Sequence, residues 1–398
     1  MSDPGGTRRV LHVCVPTVAG VPTVLLGYVR DQLARGYLVS VACPPDGWLA
    51  TAAVEAGATV FCWRATRAPG PRVAGETLRL VRLIEATRPH VVHLHSAKAG
   101  LAGRLAIHGQ RPTVFQPHAW SFLAVEGPAR LAAVEWERFA VRWTDALVCV
   151  SNAERQIGVS HGVQAATWVI PNGVDCASWT AAGSRDRASA RARLGLPDRP
   201  LAVCVGRLCT QKGQHDLLDA WDTVRTAVPC AKLALVGGGP DRASLQARIV
   251  GRRDVFLAGE RADVQLWFAA ANVVVVPSRW EGMALVPLEA MASARSVVAT
   301  NVPGVAESLP VNAGAVVAIG DRLGLADEIV VRLADRTRAD AEGAAGRRHV
   351  ESHHNMAVPA GAVVSLYSTL LRPQKRNRQG DRERAKIADA GPLRRFES

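Results

Sequence analysis

Across 398 residues the sequence holds no uninterrupted apolar stretch approaching the ~18–20 residues of a membrane-spanning helix; its longest candidates, such as residues 269–277, are strand-sized. None of its eight cysteines forms a Cys-x-x-Cys pair, which excludes the common zinc and thioredoxin-like spacings. Several cysteines lie in apolar runs and read as small buried hydrophobes in a reducing compartment. There is no Asp-x-Asp and no complete Gly-x-Gly-x-x-Gly. Aromatics are sparse, at 5%, and no stacking ladder, zinc spacing or helix-turn-helix pattern accompanies the basic charge, so no nucleic-acid partner is expected. The first nine residues lack a small-residue cleavage site, and a cytoplasmic location is the expectation.

What is present describes a folded α/β protein. Apolar residues make up 48% and charged residues 21%, a balance that excludes disordered, collagen-like and coiled-coil classes. The length suits two or three domains. The formal net charge is +13. It is densest at the C-terminus, where residues 372–398 carry nine basic and four acidic groups. That tail reads as disordered. It serves either to touch an anionic lipid surface or merely to keep the chain soluble.

Strand-sized apolar runs alternate with helical patterns along the chain. Strands are predicted at 10–15, 38–42, 59–63, 90–95, 113–116, 146–150 and 167–170. After a polar stretch rich in Ala, Arg and Ser (175–199), they resume at 201–205, 232–236, 255–257, 273–276 and 296–299. The alternation implies parallel sheets and two Rossmann-like domains. Ligands of such sheets bind outside the carboxyl ends of the strands, so the functional residues are expected in the loops there.

Five loops stand out. Thr17-Val18-Ala19-Gly20 runs into a helix and suits phosphate or a sugar hydroxyl, or is an ordinary tight turn. His118 follows the strand at 113–116, where it can donate to an oxyanion or hold a hydroxyl. Gly206-Arg207, with Lys212 five residues on, places two cations around a turn, a match for a diphosphate. Gly237-Gly238-Gly239 allows close approach of a ligand or of a neighbouring strand. Glu281, Gly282, Met283, Ala284 and Leu285 lead into a helix carrying Glu289. One carboxylate suits sugar hydroxyls and the other a ribose diol, with free N–H groups between them.

These residues resemble the retaining glycosyltransferases of family 4, which have the GT-B fold. The resemblance runs from about Val10 to Leu371. Its most specific piece is P-S-x-x-E-G-x-x-x-x-P-L-E-A-M-A at 277–292, supported by G-R-L-x-x-x-K-G at 206–213, V-G-G-G-P at 236–240 and I-P-N-G-V-D at 170–175. It implies two Rossmann-like domains facing across a cleft: residues 1–175 for the acceptor and 200–353 for the nucleotide sugar. A linker would occupy 176–199, and a helix at 354–371 would cross back to the N-terminal domain. It further implies that Arg207 and Lys212 neutralise the donor diphosphate and that Glu281 holds the sugar. Glu289 would hold the ribose, His118 the donor sugar across the cleft, and Gly20 would lie by the reacting centre. Gly206, Gly238, Gly282, Met283, Ala284 and Leu285 would line the nucleotide-sugar site.

The sequence departs from the family pattern at Ala19, Ala119, Ala284 and Ala294-Arg295-Ser296, where Gly, Gly, Gly and Gly-x-Pro are frequent. The expected reaction moves a hexose from a nucleoside-diphosphate sugar, UDP by expectation, to a hydroxyl acceptor with retention. The leaving diphosphate would take the acceptor proton, and no metal or other cofactor would be needed. The acceptor is read as a lipid-linked, polyprenyl-type or cell-surface glycan precursor. The helix at 128–143, with Arg130, Arg138 and Arg142 among Leu131, Trp136, Phe139 and Trp143, is a candidate for contact with an anionic membrane. Glycosylation of a specialised metabolite, a silent GT-B subunit and a nucleotide-sugar epimerase are the alternatives.

Overall fold

The computed structural model describes residues 7–180 and 184–372. The basic tail beyond 372 lies outside the described residues. Thirteen strands form two all-parallel sheets. The first contains β1 (Arg9–Cys14), β2 (Leu38–Cys43), β3 (Thr59–Cys62), β4 (Val91–His95), β5 (Thr113–Gln116), β6 (Ala146–Cys149) and β7 (Thr167–Val169). Its order is β3-β2-β1-β4-β5-β6-β7. The second contains β8 (Leu201–Val205), β9 (Lys232–Val236), β10 (Val255–Gly259), β11 (Val273–Val276), β12 (Ser296–Thr300) and β13 (Gly314–Val317), in the order β10-β9-β8-β11-β12-β13.

The strands form because they are short, β-branched-rich runs buried on both faces. β11 is four consecutive valines, all buried, the pattern of a strand covered by helices above and below. In each sheet the chain order reverses beside the first strand, between β1 and β4 and between β8 and β11. A crevice opens at such a switch point.

Several elements go beyond the sequence reading, the short helix Val305–Ser308 among them. Strand β13 was not predicted. Helix Leu49–Glu55 has only seven residues, too few to show a period. Helix Ser184–Arg193 lies in the polar stretch read as a linker, where mean hydropathy hides a helix that docks through arginines. Arg187 and Arg191 are buried, donating to the carbonyls of Ala271 and Ala270.

The chain returns to the first sheet near its C-terminus. Helix Ala357–Leu370 packs against helix Gly20–Ala34. There the Tyr367 hydroxyl meets His93 Nδ1 at 2.6 Å, and Arg8 donates to Ser368 Oγ at 2.8 Å. The crossover is held at Val174, which bridges to Asn355, and by Arg347, whose guanidinium donates to the carbonyls of Trp179, Ala292 and Cys176.

Candidate functional site

The loops singled out by sequence follow β1, β5, β8, β9 and β11. Because both sheets are parallel, all five emerge at strand C-terminal ends, and the two sets meet across the cleft. On the second lobe, Gly213 has φ +67° and a Cβ there would lie 1.9 Å from the Pro277 carbonyl oxygen. Only glycine allows the Thr210–Lys212 turn to sit so close to the β11 loop. The approach puts Lys212 Nζ in an ion pair with Glu281 Oε1, which also accepts from Ser278 Oγ at 3.0 Å. Gly206 lies against the stem of Lys212. Arg207 is exposed, its guanidinium 3.4 Å from Gln211 Oε1, free to swing onto an anion.

Glu289 sits about one turn into the next helix, Leu285–Ala292. Burial pushes its carboxyl up to about 7, partly offset by Lys212. Among the described residues no side chain or backbone N–H donates to it, so it is poised to accept from a ligand's hydroxyls.

The glycine triplet has a different part. Gly237 and Gly239, at φ +144° and +152°, admit the backbone of Gly206 and Leu208, while Gly238 abuts the Glu260 side chain. Of the two readings, the structure displays the close approach of neighbouring chain, which shapes the loop that carries Arg207.

The first lobe closes against this surface. Gly20 faces the Leu285 side chain, and Gly282 faces the backbone of His118 and Ala119. Ala119 N–H donates to Glu154 Oε1 at 2.6 Å, and Val150 N–H to Glu154 Oε2 at 2.7 Å. Burial raises Glu154 to about 7. Asn172 Nδ2 donates to the Met283 carbonyl at 2.8 Å, and Ser151 Oγ to that of Gly282 at 3.2 Å. Ala284 is the N-cap residue of the Glu289 helix and is nearly buried. Thus Gly20, His118, Glu281, Gly282, Met283, Ala284, Leu285, Lys212 and Glu289 share one cleft, with Arg207 at its exposed edge.

Sequence reading missed two parts. Ser151 and Glu154 carry the Ser-x-x-Glu spacing of a capping box at the start of helix Asn152–Ser160, but only half of it forms: Glu154 N–H donates to Ser151 Oγ at 3.0 Å, while the Glu154 carboxylate accepts from Val150 and Ala119. That signature was legible. Glu307 was not: from the second lobe it accepts the N–H groups of Asn152 (2.7 Å) and Ala153 (2.8 Å), capping a helix of the first lobe. No local pattern announces a cap supplied from another domain.

The departures from the family pattern carry backbone consequences. Ala19 has φ 69° and ψ −152°, a region essentially reserved for glycine. Ala119 has φ 94° and Ala294 φ 55°. The added methyls of these three sit on left-handed backbone, and strain of order 1 kcal/mol or more at each is held by the surrounding packing; Ala284, at φ −66°, carries none. Arg295, at the variable position, is buried and donates to the Phe268 carbonyl at 3.0 Å, and Ser296, where proline is frequent, opens β12 and donates to Glu342 Oε2.

Comparison with known proteins agrees with this geometry. The family described as Glycosyltransferase Family 4 matches residues 18–178, and Glycosyl transferases group 1 matches residues 199–335. A GDP-mannose-dependent alpha-(1-6)-phosphatidylinositol monomannoside mannosyltransferase of Mycobacterium tuberculosis is 32% identical over 364 residues, covering 84% of this chain and 91% of its own. Alpha-maltose-1-phosphate synthase of the same organism is 32% identical over 318 residues, 72% and 81% respectively. Among solved structures, HepE of Anabaena with UDP and glucose superposes with a TM-score of 0.79 at 21% identity, covering 90% of this chain and 99% of HepE.

Proposed function

The chain belongs to glycosyltransferase family 4, and from that premise we propose that it transfers a hexose, with retention, from a nucleoside-diphosphate sugar to a hydroxyl of a lipid-linked glycan precursor. The observation that carries this reading is the Lys212–Glu281 pair, with Arg207 and Glu289 beside it, facing Gly20 and His118 across the cleft. Lys212 and Arg207 supply positive charge where the leaving diphosphate gains negative charge. The diphosphate oxygen then takes the acceptor proton on the same face. Glu281, held by Ser278, orients sugar hydroxyls, and Glu289 accepts from the ribose diol. The two cations do the charge work assigned to a metal in other transferases, so turnover is expected to survive chelation.

For the donor we favour GDP-mannose over the UDP-sugar suggested by sequence, because relatives at 32% identity bear that dependence in their names. The acceptor side is a cavity of about 810 Å³ beyond β2 and β3, lined by Arg64, Arg72 and Arg79 with Asp46. A second carboxylate in the lining, Glu76, is already ion-paired with Lys98, so the three guanidiniums face Asp46 alone and suit an acceptor bearing a phosphate. Helix Gly127–Ala140 leaves Leu131 and Phe139 exposed, at 69% and 42%, beside Arg142, which lies 3.8 Å from the Phe139 ring centroid. Glu137 is turned inward onto Arg104 at 2.8 Å, so it does not oppose an anionic surface. Among the described residues no helix is long and apolar enough to cross a membrane, and a peripheral contact through this helix is the proposed mode.

The test is a thermal-shift panel of GDP, UDP and their sugars, with and without EDTA, followed by NMR of the product's anomeric centre. A nucleotide-specific shift that vanishes in Arg207→Ala, with turnover collapsing in Lys212→Ala, is expected. Unchanged turnover in Lys212→Ala, or an inverted anomer, overturns the mechanism.

A further inference from the structure

Four histidines run from the cleft into the core of the first lobe. His118 Nε2 lies 3.2 Å from His95 Nδ1. His95 Nε2 lies 3.0 Å from His12 Nδ1. His12 Nε2 lies 2.9 Å from Gln32 Oε1. His12, His93, His95 and Gln32 are fully buried. His118 is half-buried and belongs to the donor cleft. Burial lowers His118 to about 3 and His12 to about 4, and it lowers His93 and His95 as well. All four rings are therefore neutral near pH 7, and each neutral ring has one N–H and one lone pair.

A row of neutral imidazoles has only two arrangements of its protons, and the group at its buried end selects one. Gln32 presents its carbonyl oxygen to His12, so His12 Nε2 carries the proton. His12 Nδ1 must then accept from His95 Nε2–H, and His95 Nδ1 from His118 Nε2–H. The lone pair of the chain is left on Nδ1 of His118. We propose that Gln32, through His12 and His95, fixes His118 as a hydrogen-bond acceptor for a donor-sugar hydroxyl, making Gln32, His12 and His95 positioning residues that act on the reaction only through His118. The catalytic part of this inference rests on the reading of His118 as a donor-sugar contact.

The same cluster can be read as a metal site, since ligand nitrogens of His12, His93 and His95 lie within 4.8 Å of one another. The hydrogen bonds decide against it. Both nitrogens of His12 and both of His95 are already engaged along the chain. Of the ring nitrogens of these three histidines, Nε2 of His93 alone has no partner among the described residues, while its Nδ1 meets Tyr367. An ion would have to break the chain to collect three lone pairs, in a pocket with no carboxylate and no exposed ligand.

The direct test is ¹⁵N NMR of histidine-labelled protein, with the His118 signals assigned by their loss in His118→Gln. A single tautomer is expected at His118, with Nδ1 bare and Nε2 protonated. Gln32→Met, nearly isosteric and without an acceptor, should mix the tautomers and lower kcat about tenfold with acceptor KM unchanged, the scale of one lost substrate hydrogen bond. Tyr28→Phe is the control: its ring stacks on His93 at 6.2 Å, its hydroxyl is outside the chain, and both readouts should stay at wild type. A protonated Nδ1 in wild type, an unchanged tautomer in Gln32→Met, or stoichiometric zinc in the purified protein overturns the proposal. Tautomer mixing without loss of kcat refutes its catalytic part and points to His118 making no sugar contact.

Discussion

Glu289→Gln should stabilise the ligand-free protein above neutral pH while weakening its hold on nucleotide. The folded carboxyl sits near 7 instead of 4.5 because burial disfavours its charge. A carboxyl raised on folding binds its proton more tightly in the folded than in the unfolded state. Stability therefore declines as pH rises from about 4.5 to about 7 and is level beyond. A displacement of about 2.5 pH units at ~1.36 kcal/mol each sets a ceiling near 3 kcal/mol. The side chain is only half-buried, so about 1–2 kcal/mol is the working expectation after solvent screening. Glutamine removes the charge and with it this cost. Urea melts at pH 5 and pH 8.5 measure the effect: the variant should match wild type at the lower pH and exceed it at the higher. Binding of a nucleotide whose ribose donates to Glu289 lowers its pKa, so wild type should release a proton on binding near pH 7, seen as a buffer-dependent calorimetric heat that the variant lacks. Equal melts at pH 8.5, or a gain identical at both pH values, would refute the reasoning.

Glu307→Ala removes three charge-assisted bonds at a helix N-terminus, from Asn152 N–H, Asn152 Nδ2 and Ala153 N–H, worth together about 1–2 kcal/mol, and should raise the open-cleft population roughly 5–30-fold relative to wild type. An interlobe FRET pair reads this, and an unchanged distance distribution would sink the latch. Arg332 is wholly buried and grips Glu342 with two bonds of 2.8 and 2.9 Å. Arg332→Ala should cost about 2–4 kcal/mol, because it takes the buried cation from Glu342 and leaves that carboxylate only the exposed Arg338 and Ser296, and the double change Arg332→Met with Glu342→Leu should recover most of that; denaturant melts of both variants check this. Leu131→Asp with Phe139→Asp should abolish flotation with anionic liposomes without altering nucleotide-induced thermal shift, and flotation that persists removes this helix from membrane contact. Ala19→Gly should leave fold and activity intact while relieving left-handed strain, and a loss of nucleotide affinity would show instead that the strain serves the site.

Much of the architecture is readable in one dimension because it depends on local patterning. Each predicted strand overlaps an observed one, since a fully buried parallel strand needs an unbroken apolar run, and runs such as 273–276 admit little else. Strand β13 escaped because Gly314 and Ala315 carry little β-propensity and the strand is set by its pairing with β12. The site loops were legible because a parallel sheet turns position after a strand into position at one edge, so Arg207, Lys212 and Glu281 could be named from order and spacing.

Three-dimensional contact decided the rest. Spacing does not say that Lys212 is ion-paired to Glu281, that Glu307 caps a helix in the other lobe, or that His12, His95 and His118 touch. Those contacts join residues separated by 23 to 155 positions. The sequence by itself determined two parallel α/β lobes and which loops bear charge, because apolar period and strand–loop order are local properties. The tertiary structure decided which charges meet, which carboxylates are raised by burial and which way a row of imidazoles is oriented, because desolvation and hydrogen bonding depend on neighbours that only folding brings together.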